Sequence, residues 1–503
     1  MTPRHSAHRM AIALAMTLAG AACGPADAPV TPPPQPPAVA VTVGAPTVTV
    51  ARGAQGTASL TVTRTNYPGT VTLTVEQLPT GVTATVTPAV LEGSVSSATL
   101  TLAVPRSATT GTSARVVRAT GTGTVAASAS LALAVTPPAV GTLAALGAGP
   151  VAERYTSELW VHGGLAYTSS WGNRNGVRGN AVKVWDVSVD TPRLLDSVLV
   201  ENATTTGDVQ VSDDGRLLVV AIESNPNGGL AVYSLATPRA PQLLVRTTGG
   251  ELQYGVHTAE VARVNGTLYA FCAVDPANGV PARLVIMSLA NPAAPQVVWS
   301  QVMGAPYIHD VFVRDGYLFT AEWNDGLGIW DIGAQGGSPA APRRLARGTT
   351  VGGKVHNLWW YHDAAGGKRY LFVGEEGPGS IGSSSVGDLH VVDLSTLTAP
   401  REVARFTVAG AGVHNVSVDE RTGRLYAAFY NGGVRALDVT GDLGSCSATE
   451  KTADGRCDLG LMGREVARFT GTGAPVYVWG VHWSASGLFA SDMLQGLWRI
   501  APP

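Results

Sequence analysis

His309 to Ile332 reads HDVFVRDGYLFTAEWNDGLGIWDI. It divides into three short antiparallel strands, HDVFVRD, YLFTAE and LGIWDI. Asp315-Gly316 and the run Asn324 to Gly326 separate them, and these residue types reach the positive φ of a tight hairpin at little cost. The following run SPAAPRRLAR, from Ser338 to Arg347, supplies a fourth, outer strand after its prolines. Copies of the unit recur at roughly 40–60-residue intervals, the period of a β-propeller.

The third strand is the clearest marker of the repeat. It reads VKVWDV from Val182, LAVYSL from Leu230, LVIMSL from Leu284, LGIWDI from Leu327, LHVVDL from Leu389, VRALDV from Val434 and LWRI from Leu497. The count is seven. The last copy ends at Ile500 with three strands and no fourth. The segment GTLAALG, Gly141 to Gly147, matches the outer strands RLLDSVLV, QLLVRTT and EVARFTV in type. Borrowed by the last repeat, it would close the ring and leave no sheet edge open.

Several third strands are followed by a proline pair, as in ATPRAP, NPAAP and SPAAP. With these motifs the chain from about Gly141 onward resembles the LVIVD-repeat family of exported bacterial proteins. The resemblance implies a β-propeller and says little about activity. The fold class expected is all-β, a seven-bladed β-propeller preceded by an immunoglobulin-like β-sandwich.

The chain has 503 residues, room for more than one domain. Residues 1–23 have the form of an export signal: Arg4 and Arg9, then an apolar run from Met10 to Ala22 that is too short to span a bilayer. LAGAACG, Leu18 to Gly24, resembles a bacterial lipobox ending in Cys23, with Gly20 where the pattern usually has Leu. The segment is therefore either lipidated at Cys23 or cleaved as an ordinary signal. The resemblance implies an outer-membrane-anchored lipoprotein of the cell envelope; the ordinary cleavage implies a secreted or periplasmic protein. One acylated cysteine would hold the chain at a membrane without a transmembrane helix. Residues 24–37 form a proline-rich, extended tether. Residues 38–136 alternate Val, Thr and Leu with small residues and read as a β-sandwich, and QLPTGVTATVTPAVL resembles bacterial immunoglobulin-like modules. Residues 140–503 form the propeller.

Charged residues make up 14% of the chain and the net charge is -2, which argues against a nucleic-acid partner. The partners expected are the membrane, through the lipid anchor, and a protein, small-molecule or glycan ligand; the chain is expected to be a monomer. Cys446 and Cys457 bracket the polar insertion CSATEKTADGRC and are expected to form a disulfide, which suits an exported protein. Closing so short a loop is worth about 2–3 kcal/mol. Cys272, in TLYAFCAVD, is expected to be a buried thiol.

Aligned first strands carry a recurrent histidine: His257 (GVHTAEV), His309 (YIHDVFV), His356 (KVHNLWW), His414 (GVHNVSV) and His482 (GVHWSAS). Asp208 takes the position in the second repeat and Ser157 in the first. The first strands of a propeller line its channel, so five imidazoles are expected at one mouth. The second strand runs back to that rim and ends in Glu322 (FTAEWN), Glu375 (FVGEEG) and Asp492 (FASDML), which could orient the imidazoles as carboxylates do at metal sites. Crowded imidazoles stay neutral and able to bind copper, zinc or iron. The competing reading is structural, each histidine bonding a backbone carbonyl of the next repeat. His162, His362 and His390 fall outside the set. Polar loops between second and third strands, with Trp171, Trp323 and Tyr430, share the rim.

No G-x-S-x-G elbow, H-E-x-x-H, P-loop or EF-hand pattern occurs, so no catalytic residues are assigned. Three functions remain open: a binding or interaction scaffold, a copper- or zinc-dependent enzyme using the histidines, and a structural envelope protein.

Overall fold

A computed structural model describes residues 35–503 except 107, 124, 224–227 and 305. Cys23, the export segment and most of the tether lie outside the described residues. No helix among the described residues is long and apolar enough to cross a membrane.

The N-terminal strands form two sheets. One orders Ala38–Val43, Gln55–Thr65, Ser97–Ala103 and Thr83–Thr87; the other orders Thr47–Ala51, Ala126–Thr136, Gly111–Thr120, Val71–Glu76 and Val90–Leu91. Strict alternation of apolar and polar residues gives each sheet one dry face. Leu60, Val71, Leu100, Leu102, Val117, Leu131 and Leu133 meet between them and are fully buried.

The rest of the chain is a β-propeller. Its innermost strands, Tyr155–His162, Thr205–Val211, Val256–Val264, Asp310–Arg314, Val355–Tyr361, Val416–Asp419 and Val478–Ser484, pack side by side in that order, and the last lies against the first. Each begins an antiparallel meander. The His309 repeat shows the pattern: Asp310–Arg314 pairs with Tyr317–Ala321, then Leu327–Asp331, then Arg343–Gly348. Asp315 and Gly316 take φ of 53° and 76°, the turn geometry the Asp-Gly pair provides.

The third strands are mostly apolar because they are covered on both faces; every residue of Leu327–Asp331 is buried. The outer strand Gln242–Thr247 has no buried residue. The aspartate that ends the third-strand motif caps the next turn. Asp331 accepts the backbone N–H groups of Gly333, Ala334, Gln335 and Gly337. Asp186, Asp393 and Asp438 likewise accept from Ser188, Ser395 and Thr440.

The last meander is completed by a segment from before the first. Ala145–Pro150 pairs antiparallel with Gly496–Ile500. This strand lies a few residues beyond the expected Gly141 to Gly147. Gly141–Thr142 instead runs parallel to Glu465–Phe469, the outer strand of the preceding sheet. Gly149 is required by close approach: a Cβ there would sit 2.5 Å from the Trp185 ring.

Cys446 and Cys457 are joined by a disulfide, and Cys272 is a buried free thiol. The disulfide loop joins third to fourth strand, at the face opposite the start of the innermost strands. It also receives the sandwich. Arg52, nine-tenths buried, pairs with Glu450 and donates to the Met462 carbonyl at 2.7 Å.

A chain ending before Gly496 lacks the strand that Ala145–Pro150 pairs with and is expected to lose its near-ultraviolet circular dichroism and cooperative melting transition. A truncated chain that melts like the full one would contradict the role given to this closure.

Candidate metal centre at the channel mouth

The innermost strands place one side chain each at the rim by a local irregularity. In Val256–Val264, Val355–Tyr361 and Val478–Ser484 the pairing with the second strand slips by one residue at the second position. The bulged residues are His257, His356 and Trp479. A bulge re-aims a side chain that would otherwise follow the pleat. His309 and His414 reach the same level just before their strands, through backbone N–H bonds to the carbonyls of Ala321 and Ala428.

The rings form a continuous arc. Ring centroids are 4.2 Å apart from His257 to His309, 4.0 Å from His309 to His356, 4.1 Å from His356 to His414 and 4.2 Å from His414 to Trp479. Trp171 closes it, 5.0 Å from Trp479 and 6.2 Å from His257. His257 and His309 share a hydrogen bond, Nε2 to Nε2 at 2.8 Å.

One carboxylate stands over three of these rings. Glu376 Oε2 is 3.5 Å from His309 Nε2 and 3.7 Å from His356 Nε2, and Oε1 is 4.0 Å from His414 Nε2. The Tyr430 hydroxyl donates to Glu376 Oε1 at 2.5 Å. Ligand atoms of His309, His356 and Glu376 all lie within 4.8 Å of one another. Above the rings opens a chamber of about 410 Å³, walled by Trp171, Tyr307, Tyr430, Tyr477 and Trp479.

Electrostatics divide the histidines. Burial, reinforced by the neighbouring imidazoles, holds His309, His356 and His414 well below the usual histidine range, so they are neutral. Burial also works against charge on His257, but Glu223, Asp275 and Glu376 outweigh it and push its pKa up to about 10. Burial pushes Glu376 up as well.

The structural reading of the histidines is met only in part. His309, His356 and His414 each lean on the backbone of the next innermost strand, at His356, His414 and Trp479 respectively. Even so, both ring nitrogens of His356 and of His414 lack a well-formed hydrogen bond. Such buried, unmatched polar atoms cost about 1–3 kcal/mol each. Trp323, stacked 5.4 Å from His309, and Tyr430 have φ of 51° and 35°. Bulky residues in the left-handed region are rare and cluster where function requires them.

Four of the five expected histidines converge. His482 does not: it lies three residues along its strand from Trp479, which holds the rim position, and packs deeper in the channel on Trp160 at 4.8 Å. Asp208 is also displaced. The pairing of Thr205 with Glu223 puts Thr206 in the histidine register and Asp208 two residues deeper, where it accepts the Ala259 N–H.

The expected carboxylates turn away from the rings. Glu322 is fully buried against Thr320, Arg344 and Arg347. Glu375 faces His390, which also bonds Glu402. Asp492 accepts the N–H groups of Tyr477 and Leu494 and the Trp498 indole. All three point across their own sheet. Successive side chains of a strand take opposite faces, so the next residue points to the chamber. That position reads Asp275, Trp323, Glu376, Tyr430 and Met493 in consecutive repeats. Glu223, at the end of its own second strand, also reaches His257. A one-residue shift in the alignment would have found Glu376 and Asp275.

Beneath the imidazoles the channel holds Glu158, Asp208, Glu260 and Asp310. Burial and mutual repulsion push Glu158 and Glu260 well up and Asp310 up to about 7; burial pushes Asp208 up to about 6. Only Asp208 of this set was marked by sequence.

The family model of the LVIVD repeat matches residues 307–343, the unit from which the sequence reading began. No curated protein matches the chain. Among solved structures it is similar to the C-terminal WD40 domain of Sif2, at 13% identity and a TM-score of 0.43, covering 77% of this chain and 90% of that one. It is also similar to a chain of the mitotic checkpoint complex, at 14% identity and a TM-score of 0.47, covering 73% of this chain and 92% of that one. Neither likeness bears on function. The repeat match and the sheet topology make this chain a β-propeller repeat protein.

Proposed function

We propose that this chain is an exported cell-envelope protein, a seven-bladed propeller carried on an immunoglobulin-like sandwich, and that it binds a transition metal through His309, His356, His414 and Glu376. One observation carries the metal reading: three buried, neutral imidazoles, two of them with no well-formed hydrogen bond at either nitrogen, surround a single carboxylate. Neutral imidazole is the form that ligates metal, so no proton has to be removed from these three rings. Three imidazoles with one carboxylate suit zinc, copper or iron. The aromatic walls would limit water around such an ion and leave room for a small ligand beside it. Export and anchoring through Cys23 are supported by the sequence before the tether and by the disulfide.

The test is the metal content of the full-length, untagged protein, purified without chelator, beside the His309→Ala/His356→Ala variant. Near-stoichiometric copper, zinc or iron that disappears in the variant is expected. Absence of metal after titration and dialysis would sink this reading and leave the chamber as a pocket for an organic ligand.

A second test uses stability. His356→Leu removes two unmatched nitrogens and is expected to stabilise the metal-free protein by about 1–2 kcal/mol in urea unfolding while abolishing metal binding. A less stable variant would mean that His356 is a satisfied structural residue.

A further inference from the structure

The rim holds a second set of ligand atoms beside the first. Glu223, His257 and Asp275 also bring theirs within 4.8 Å of one another. His257 Nδ1 lies 3.2 Å from Glu223 Oε1 and 3.8 Å from Asp275 Oδ2. Its other nitrogen, Nε2, lies 2.8 Å from His309 Nε2. The two nitrogens of one ring therefore face two different ligand sets. Glu223 Oε1 is buried without a well-formed hydrogen bond. Glu223, Asp275 and Glu376 all border the chamber, and among the described residues neither lysine nor arginine lines it.

We propose that Glu223, Asp275 and Nδ1 of His257 bind a second metal ion, so that the His257 ring stands between two metals. The inference rests on the first metal site described above. It accounts for the crowding of three carboxylates on the wall of one chamber. It also gives the two positions different chemistry. Two carboxylates and one imidazole favour zinc, manganese or iron(II), whereas the imidazole-rich position suits copper or zinc. When a metal takes Nδ1, the proton there is released to solvent. Nε2 then either keeps its hydrogen or loses it as well and joins the first metal. In the second case the ring is an imidazolate bridge and a second proton is released.

The test uses full-length protein stripped of metal and titrated with zinc, with bound metal counted after gel filtration. Wild type is expected to hold two ions per chain and Glu223→Gln/Asp275→Asn one. One ion in wild type, kept in that variant and lost in His309→Ala/His356→Ala, would overturn the second site and leave the first standing. Two ions in both wild type and Glu223→Gln/Asp275→Asn would overturn the assignment of these ligands. No bound zinc, with no copper or iron bound in parallel titrations, would overturn both readings. Electron paramagnetic resonance of copper(II)-loaded wild type decides the question even if the variant fails to fold. A magnetically coupled pair is expected, and a single uncoupled copper spectrum would overturn the proposal.

Discussion

The pairing of Ala145–Pro150 with Gly496–Ile500 is the constraint on which the propeller depends. Each sheet leans on the next, and a ring of such sheets has no stable end. Without this pairing the last sheet would be short by one strand, and two unpaired edges would face solvent. The histidine arc depends on the same closure. Each of its rings comes from a different sheet, and the arc returns to Trp171 in the sheet that follows the borrowed strand. The site is therefore a property of the closed ring, and no single repeat contains it.

Much of this architecture was legible because third strands covered on both faces must be mostly apolar. That rule picks out VKVWDV and its six relatives without an alignment. The closing strand was placed in kind but not in register. GTLAALG and its continuation are mostly glycine and alanine, so a slide of a few residues changes the pattern little; the fit of Gly149 against Trp185 decides it. Export and anchoring rest on residues before the described part of the chain.

The site was legible only to within a residue or two, since a shift of one residue exchanges the two faces of a strand. His482 was chosen over Trp479 because histidine matched the other repeats, but the bulge lies at Trp479. Glu322, Glu375 and Asp492 share an aligned position that faces their own sheets, and the chamber-facing residue follows each of them. Asp275 could have been read from that neighbouring position. Glu223 shares the position of Glu375 yet approaches the histidine of the next sheet, and no strand-parity rule anticipates that. Its role depends on how adjacent sheets meet.

The contact of Arg52 with Glu450 bears on motion as well as on stability. Two domains joined only by a covalent linker can swivel about it, and the outer one samples a broad cone of directions. Here the sandwich also touches the propeller through Arg52, on a loop pinned by the disulfide, and through Arg106 on Asp438. Several separated points of attachment restrict rotation that a single one would leave free. The open chamber lies on the opposite face, so its direction is coupled to that of the sandwich. Such a mount trades angular reach for a fixed bearing, which suits a site that must meet its ligand from one side.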